Sequence, residues 1–352
     1  MPVRSGGDKL TRLMTVTTAI AVLVVLLYGP FRILQSGKYS VENWLDFVVF
    51  GLAQGSLYAL IALGYTLVYG ILRMINFAHG EVFMCGAFTG YFAAAALDRS
   101  GLMDRQPLVG LLVITAVAAA TSIVVAVLLE RIAYRPLRRA PRLVPLITAI
   151  GASLFLQYTV SGLYGSGLET YPDVDMLKGD LRILGVSILK VQVVVIAAAV
   201  LIMAALYGFV QHTRTGRAMR AVSEDKDTAA LMGIDVDGII VRTFVLGGGL
   251  AGIAGVLHAL IYKQVVFNMG FQPGLKAFTA AVLGGIGNVP GAMLGGLFLG
   301  VVESVGPGLF LEGLGIPAPY QLKDAIAFSL LVLVLIFRPT GILGEIVSEK
   351  RA

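Results

Sequence analysis

The chain has 352 residues, 57% hydrophobic and 14% charged, with a mean hydropathy of +0.86. A soluble domain carries about 25% charged residues, so a soluble single-domain enzyme is excluded and a polytopic membrane protein is indicated. The net charge of +6 reads as the bias of basic residues toward the cytoplasmic side of a membrane, so the bilayer is the expected partner and nucleic acid is not.

A membrane crossing needs about 20 mostly apolar residues. Runs of that kind are Leu13–Phe31, Phe47–Leu72, Val82–Leu97, Leu108–Leu129, Leu143–Tyr164, Val191–Val210, Thr243–Tyr262, Ala277–Val302 and Pro319–Phe337. The expected fold is therefore all-α and polytopic, with about eight to ten transmembrane helices, broken or half-helices included. A basic stretch precedes the first run, as in a signal peptide, but no A-x-A-like cleavage site follows it, and the span is expected to be retained.

Orientation follows from the basic residues. Arg4, Lys9 and Arg12 put the N-terminus in the cytoplasm. Alternation then puts Arg131, Arg135, Arg138, Arg139 and Arg142 inside, and with them Arg214, Arg217, Arg220, Lys226 and Arg242. The acidic connection with Glu169, Asp173, Asp175 and Asp180 falls outside. Arg338, Lys350 and Arg351 favour an inside C-terminus, which an odd number of crossings forbids. Splitting Ala277–Val302 at Leu283-Gly284-Gly285-Ile286-Gly287-Asn288-Val289-Pro290-Gly291 into two half-helices gives ten crossings and restores parity, because glycine and proline break helices; eight crossings with one re-entrant apolar run is the alternative.

Enzyme motifs are missing from the sequence. The one Gly-Lys pair, Gly37-Lys38, is followed by Tyr39, so there is no P-loop, and neither H-E-x-x-H nor C-x-x-C occurs. No cofactor or metal is expected on this chain. Gly247, Gly249 and Gly252 fit a dinucleotide fingerprint but lie in an apolar run with no strand before them. Helix packing accounts for them better, through small residues such as Gly248 with Gly252, Gly291 with Gly295 and Gly296 with Gly300. Cys85, the single cysteine, reads as a small core residue.

Three segments carry chemistry. The first, Arg73 to Glu81, joins two apolar runs and brings Asn76, His79 and Glu81 near the membrane, where a charged group costs about 2.5–3.5 kcal/mol. It reads either as an interfacial turn closed by a Glu81–Arg73 pair or as part of a translocation pathway, with a proton relay as a third option. The second is the break at Gly287 and Asn288, read either as part of a translocation site, since unwound backbone at membrane depth persists only inside protein or beside a water-filled cavity, or as a tight turn between packed helices. The third is Arg217–Asp235, read as one amphipathic helix with Arg217, Arg220, Glu224 and Asp227 on a charged stripe and Gly233 at its C-cap. Such a helix is either a docking element for a cytoplasmic partner, a solvated surface helix, or one lying on the lipid head groups.

The runs Gly51-Leu52-Ala53-Gln54-Gly55-Ser56-Leu57-Tyr58-Ala59-Leu60, Ile75–Glu81, Gly284–Ala292 and Phe337–Gly344 resemble permease subunits of branched-chain amino acid ABC importers, of the LivH type. The resemblance spans about Trp44 to Gly344. It implies an inner-membrane permease that is not itself an enzyme. It also implies a second permease, two ABC ATPase subunits that hold ATP and Mg, and a periplasmic substrate-binding protein. It makes Gln54, Asn76, His79, Glu81, Gly287 and Asn288 candidates for the pathway or its gate. Arg217, Arg220, Glu224, Asp225, Asp227, Ala229, Ala230 and Gly233 become candidates for ATPase docking. Residues 1–43 form an N-terminal extension with an extra span, 44–344 the permease domain with the docking segment at 215–235, and 345–352 a cytoplasmic tail. Importers of urea and short amides use similar permeases. An ion-coupled transporter with a His79–Glu81 relay is the reading from another class.

Overall fold

The computed structural model describes residues 17, 24, 27–138, 140–141, 143–183, 186–338 and 340–344. Most of the expected first span Leu13–Phe31 and the tail 345–352 lie outside the described residues, as do Arg4, Lys9, Arg12, Arg139, Arg142 and Pro339.

Eight helical spans among the described residues are long and apolar enough to cross a membrane. A first helix, α1, covers 27–36. Ser40 then opens α2 (Val41–Leu72) with a capping box closed by Asn43, which satisfies two of the free N–H groups of the first turn. α3 is His79–Arg99, α4 the short Leu102–Arg105, and α5 Pro107–Leu128, with a proline in its first turn. A π turn and a 3-10 turn prolong α5 to Leu137. α6 is Leu143–Tyr164 and α7 Lys190–His212. Next come α8 (Arg214–Glu224), α9 (Lys226–Leu231) and α10 (Val236–Tyr262). α11 (Phe271–Gly284), α12 (Val289–Gly306) and α13 (Lys323–Phe337) complete the bundle.

A helix that is apolar all round is buried or lipid-clad, and burial tells the two apart. α2 and α10 have 72% and 67% of their best apolar window inside the protein, against 6% for the α13 span. Around this centre α12 packs on α2, and α5 packs on α10 and α3. The small-residue reading holds at both seams. A Cβ on Gly252 would sit 2.6 Å from the Ala118 carbonyl oxygen, and one on Gly55 would sit 2.8 Å from that of Gly296. Only glycine lets these backbones meet.

Consecutive spans reverse direction, so their connections gather at two ends. At one end Arg73 donates to the Ser223 carbonyl (2.8 Å) and Arg135 pairs with Asp237 (2.7 Å). Arg138 bridges Glu130 and Asp237 there. This is the α8 end. At the other, Tyr91 donates to Glu169 (2.8 Å) and Tyr39 to Glu312 (2.6 Å), while Lys263 pairs with Asp173 (3.0 Å). The acidic connection here contains strands: β1 (Glu169–Thr170) pairs with β4 (Gln264–Val265), and β2 (Asp180–Ile183) forms an antiparallel hairpin with β3 (Val186–Leu189). This is the hairpin end.

Ala277–Val302 is broken as expected, but not into two half-helices. After β4 the chain dips back into the bundle until Gly274 lies beside the Gly80 backbone. α11 therefore starts inside the bundle. Its 14 residues span about 21 Å at 1.5 Å per residue, short of the roughly 30 Å hydrocarbon core. α12 and its π and 3-10 continuation run 26 residues from Val289 to Leu314, a full crossing. The break between them needs glycine, because Gly285 and Gly287 take φ of +108° and +98°. The last carbonyls of α11 would be left free by it. Ile342 and Leu343 donate their N–H groups to Leu283 and Gly284 (2.9 and 3.0 Å), which satisfies them.

Candidate functional site

The half-length of α11 opens a cavity of about 610 Å³ between it, α2, α6 and α10. Gln54, Tyr58, His258, Gln272, Lys276 and Lys323 line it, with Leu57, Leu154, Val266, Met269 and Phe271 as its apolar wall. Behind the lining lies an ionic cluster. Lys276, 4% exposed, pairs with Glu303, 2% exposed, and with Asp324 at 2.7 Å. Gln54 donates from Nε2 to the Tyr58 hydroxyl (2.6 Å) and to Glu303 (3.3 Å). The Lys276 ammonium also lies 5.7 Å from the Tyr58 ring centroid. A buried lysine is rare unless paired, and this one ties α2, α11, α12 and α13 together. Glu303 Oε2 has no hydrogen-bond partner among the described residues.

Asn76, His79 and Glu81 do not share one locus. Asn76 is buried and accepts from the Tyr134 hydroxyl at 2.5 Å. His79 opens α3, and its ring packs edge-on to Tyr65, 4.9 Å between centroids. The ring fills the space that a Cβ on Gly64 would take. Glu81 lies in the first turn of α3, where a carboxylate suits the helix dipole. It accepts from Gln157 (2.7 Å) and Ser153 (3.2 Å) of α6. The alternative of a turn closed by a Glu81–Arg73 pair is therefore corrected. Arg73 sits past the end of α2 with φ +57° and turns to Ser223 instead. The chain climbs back into the bundle between them, which separates the two side chains. Among the described residues no hydrogen bond joins His79 to Glu81, a bond a direct relay would need.

Gly287 and Asn288 lie at the α8 end, away from the cavity. Asn288 caps α12 by accepting from Gly291 N (2.9 Å), and its Nδ2 donates to the Leu343 carbonyl (2.9 Å). Of the pathway candidates, Gln54 alone is both buried and directly on the cavity wall.

The expected single helix Arg217–Asp235 is two helices. Asp225 leaves helical geometry (φ −152°, ψ 114°) and caps α9, accepting from Asp227 N (2.9 Å) and Thr228 N (3.1 Å). These bonds, with that from the Thr228 hydroxyl, hold its carboxyl below the usual range. α8 buries Gly216, Met219 and Val222 on one face and exposes Arg217, Arg220 and Glu224. In α9 Ala229 is buried, and Asp227 and Ala230 face outward. Gly233, φ +81°, ends the helix: its N–H bonds the Ala230 carbonyl and that of Ile234 bonds Ala229, a Schellman arrangement. Leu231 and Met232 stand 88% and 80% exposed at the tip.

Sequence reasoning missed Lys276 and Tyr58, and left Glu303 out of the site. The available signal was one lysine and one glutamate at the edge of or inside apolar runs, of opposite sign. A lone charge there asks for a partner.

An all-α bundle with apolar flanks and a polar cavity inside defines a multi-pass membrane protein of the transporter type. A family model described as "Branched-chain amino acid transport system / permease component" matches residues 47–335. The chain is 46% identical over 313 residues to the high-affinity branched-chain amino acid transport system permease protein BraD of Pseudomonas aeruginosa, covering 88% of this chain and 99% of that protein. It is 44% identical to LivH of Escherichia coli, with 85% and 95% covered. A probable LivM permease of Methanocaldococcus jannaschii is 30% identical over 144 residues, 38% of this chain and 41% of that protein. The chain belongs to the family of branched-chain amino acid transport system permease components. It is a transport subunit and not an enzyme.

Proposed function

We propose that this chain is the permease subunit of an ATP-driven importer that carries leucine, isoleucine and valine across the bacterial inner membrane. The observation that carries the reading is the 46% identity to a branched-chain amino acid permease over 99% of that protein. Two ABC ATPase subunits, holding ATP and Mg, dock on the α8 end. A second permease completes the pathway, and the partial likeness to a LivM protein supports a partner of related sequence. A periplasmic binding protein delivers substrate at the hairpin end. Both termini are cytoplasmic, in keeping with the basic residues of the α8 end.

Arg217, Arg220, Glu224, Asp225 and Asp227 present the charge of the docking surface, and the α9 tip presents its apolar contact. Ala229, Ala230 and Gly233 shape that tip. Closure of the ATPases pushes α8 and α9. Arg73 hands that motion to α2 through its bond to Ser223, and α2 carries Gln54 to the cavity. Coupling of this kind needs an element whose equilibrium both sites bias, and α2 touches both.

The test is affinity capture of the tagged chain from native membranes in mild detergent, followed by identification of what accompanies it. Recovery of ABC ATPases and a second permease is expected. Recovery of the chain alone, still active for uptake in liposomes, would sink the importer reading.

A further inference from the structure

Resting on that reading, we propose that the 610 Å³ cavity is a substrate subsite within the permease itself. Lys276 receives the α-carboxylate of the amino acid, His258 and the lining amides receive its ammonium group, and the apolar wall receives its branched side chain.

The cavity volume falls in the range of small-molecule sites, about 300–1,000 Å³. Its lining combines an apolar wall with convergent polar groups, the two kinds of surface a small polar solute with an apolar side chain needs. Leu57, Leu154, Val266, Met269 and Phe271 supply the wall. The charges of the lining suit the carboxylate of the solute. Lys276 and Lys323 line the cavity, and no carboxylate is among its lining residues. Its carboxylates, Glu303 and Asp324, stand behind Lys276.

Lys276 is the recognition group because of its hydrogen-bond inventory. An ammonium has three N–H donors. Glu303 accepts one, and Asp324 is an ion-pair partner at 2.7 Å without a hydrogen bond from the ammonium, which leaves at least one donor for a ligand. Glu303 fixes the lysine from the side away from the cavity, while Asp324, whose side chain is 30% exposed, is the partner a ligand carboxylate can displace. Lys323, next to Asp324 in sequence and on the same wall, adds the second positive charge.

The ammonium side has an acceptor in waiting. His258 lines the cavity, and its Nδ1, closed to solvent, has no hydrogen-bond partner among the described residues; a turn of the ring would bring it to a ligand. In the tautomer with its proton on Nε2, Nδ1 accepts a hydrogen bond from an ammonium group. Gln264, Asn268 and Gln272 add amide oxygens along the same wall. A neutral dipolar solute thus meets both donors and acceptors in one cavity, and its two charges need not be left unpaired at membrane depth.

The experiment uses the assembled importer in nanodiscs without its binding protein. The probe is a diazirine analogue of leucine, photo-crosslinked and mapped by mass spectrometry. Label is expected on the segments bearing Leu57, Leu154 and Met269, and leucine at millimolar concentration is expected to suppress it. Leucinamide, which lacks the carboxylate, and 4-methylpentanoate, which lacks the ammonium, are expected to compete at least tenfold more weakly. Label elsewhere, no label, or equal competition by leucinamide overturns the proposal. Lys276→Gln with Glu303→Gln removes both charges of the buried pair and is expected to abolish the label, while Lys276→Arg keeps it. Should the double variant fail to assemble, the wild-type competition series decides alone. Stimulation of ATP hydrolysis by loaded binding protein in the wild-type complex tests the importer reading separately, so loss of the subsite and loss of the function are told apart.

Discussion

Glu81 shows how a single buried carboxylate is held. It is fully buried in α3, and its hydrogen-bond partners Gln157 and Ser153 both come from α6. Gln157→Leu removes the 2.7 Å bond and leaves a buried carboxyl with one donor, at an expected cost of about 1–3 kcal/mol. Thermal unfolding of the purified chain in detergent reads this directly, and Gln157→Glu is expected to be worse, since it sets two carboxylates together. Asn76, His79 and Glu81 were legible because polar groups stand out between apolar runs. Lys276 was not, because it sits at the very edge of a run counted from Ala277, where a lysine looks like a membrane-surface residue. Only the inward start of α11 reveals that it is 4% exposed.

The helices divide into seams that are locked and elements that are free. At the α2–α12 seam, a side chain on Gly55 would meet the backbone of Gly296 and Leu297. Backbone cannot move aside as a rotamer can, so Gly55→Leu is expected to cost about 1–3 kcal/mol or more by overpacking. Gly252→Leu is expected to do the same at the α5–α10 seam, and a lowered melting temperature with loss of monodispersity would report either. A mild effect would show that the seam has slack. The segment proposed to dock the ATPases is the contrasting case. Its charge pattern suggested one helix, and Asp225 divides it, because a free aspartate side chain caps a following helix better than it serves inside one. Asp225→Ala is expected to speed amide exchange at Asp227 and Thr228 and to weaken ATPase stimulation. Glu224→Lys with Asp227→Lys, or Gly233→Pro, is expected to abolish that stimulation. Wild-type stimulation in these variants would remove α8 and α9 from the docking surface.

At the level of the whole molecule, the spans and their order were legible from hydropathy, while the depth at which α11 begins was not. Hydropathy counts residues, and α11 is shortened by a reversal that depends on Gly80 meeting Gly270 and Gly274. The hairpin end is joined by charge as well as strands. Lys263 beside Asp173 holds that carboxyl below its ordinary range. A depressed folded value means that the pair stabilises the fold fully above the unfolded pKa of about 3.9. The contribution is lost as pH falls through the lower, folded value. Both groups are largely exposed, so the effect is small and screened by salt. The stability difference between wild type and Asp173→Asn is expected to vanish at low pH, and a difference that persists there would assign it to something other than charge. The α9 tip has a consequence for the cell. Leu231 and Met232 are held outward by a helix too short to bury them. A copy made in excess of its partners carries an adhesive knob that invites capture by quality control. On the proposed docking of partners there, the steady-state level of this subunit is expected to track its partners' genes as closely as its own.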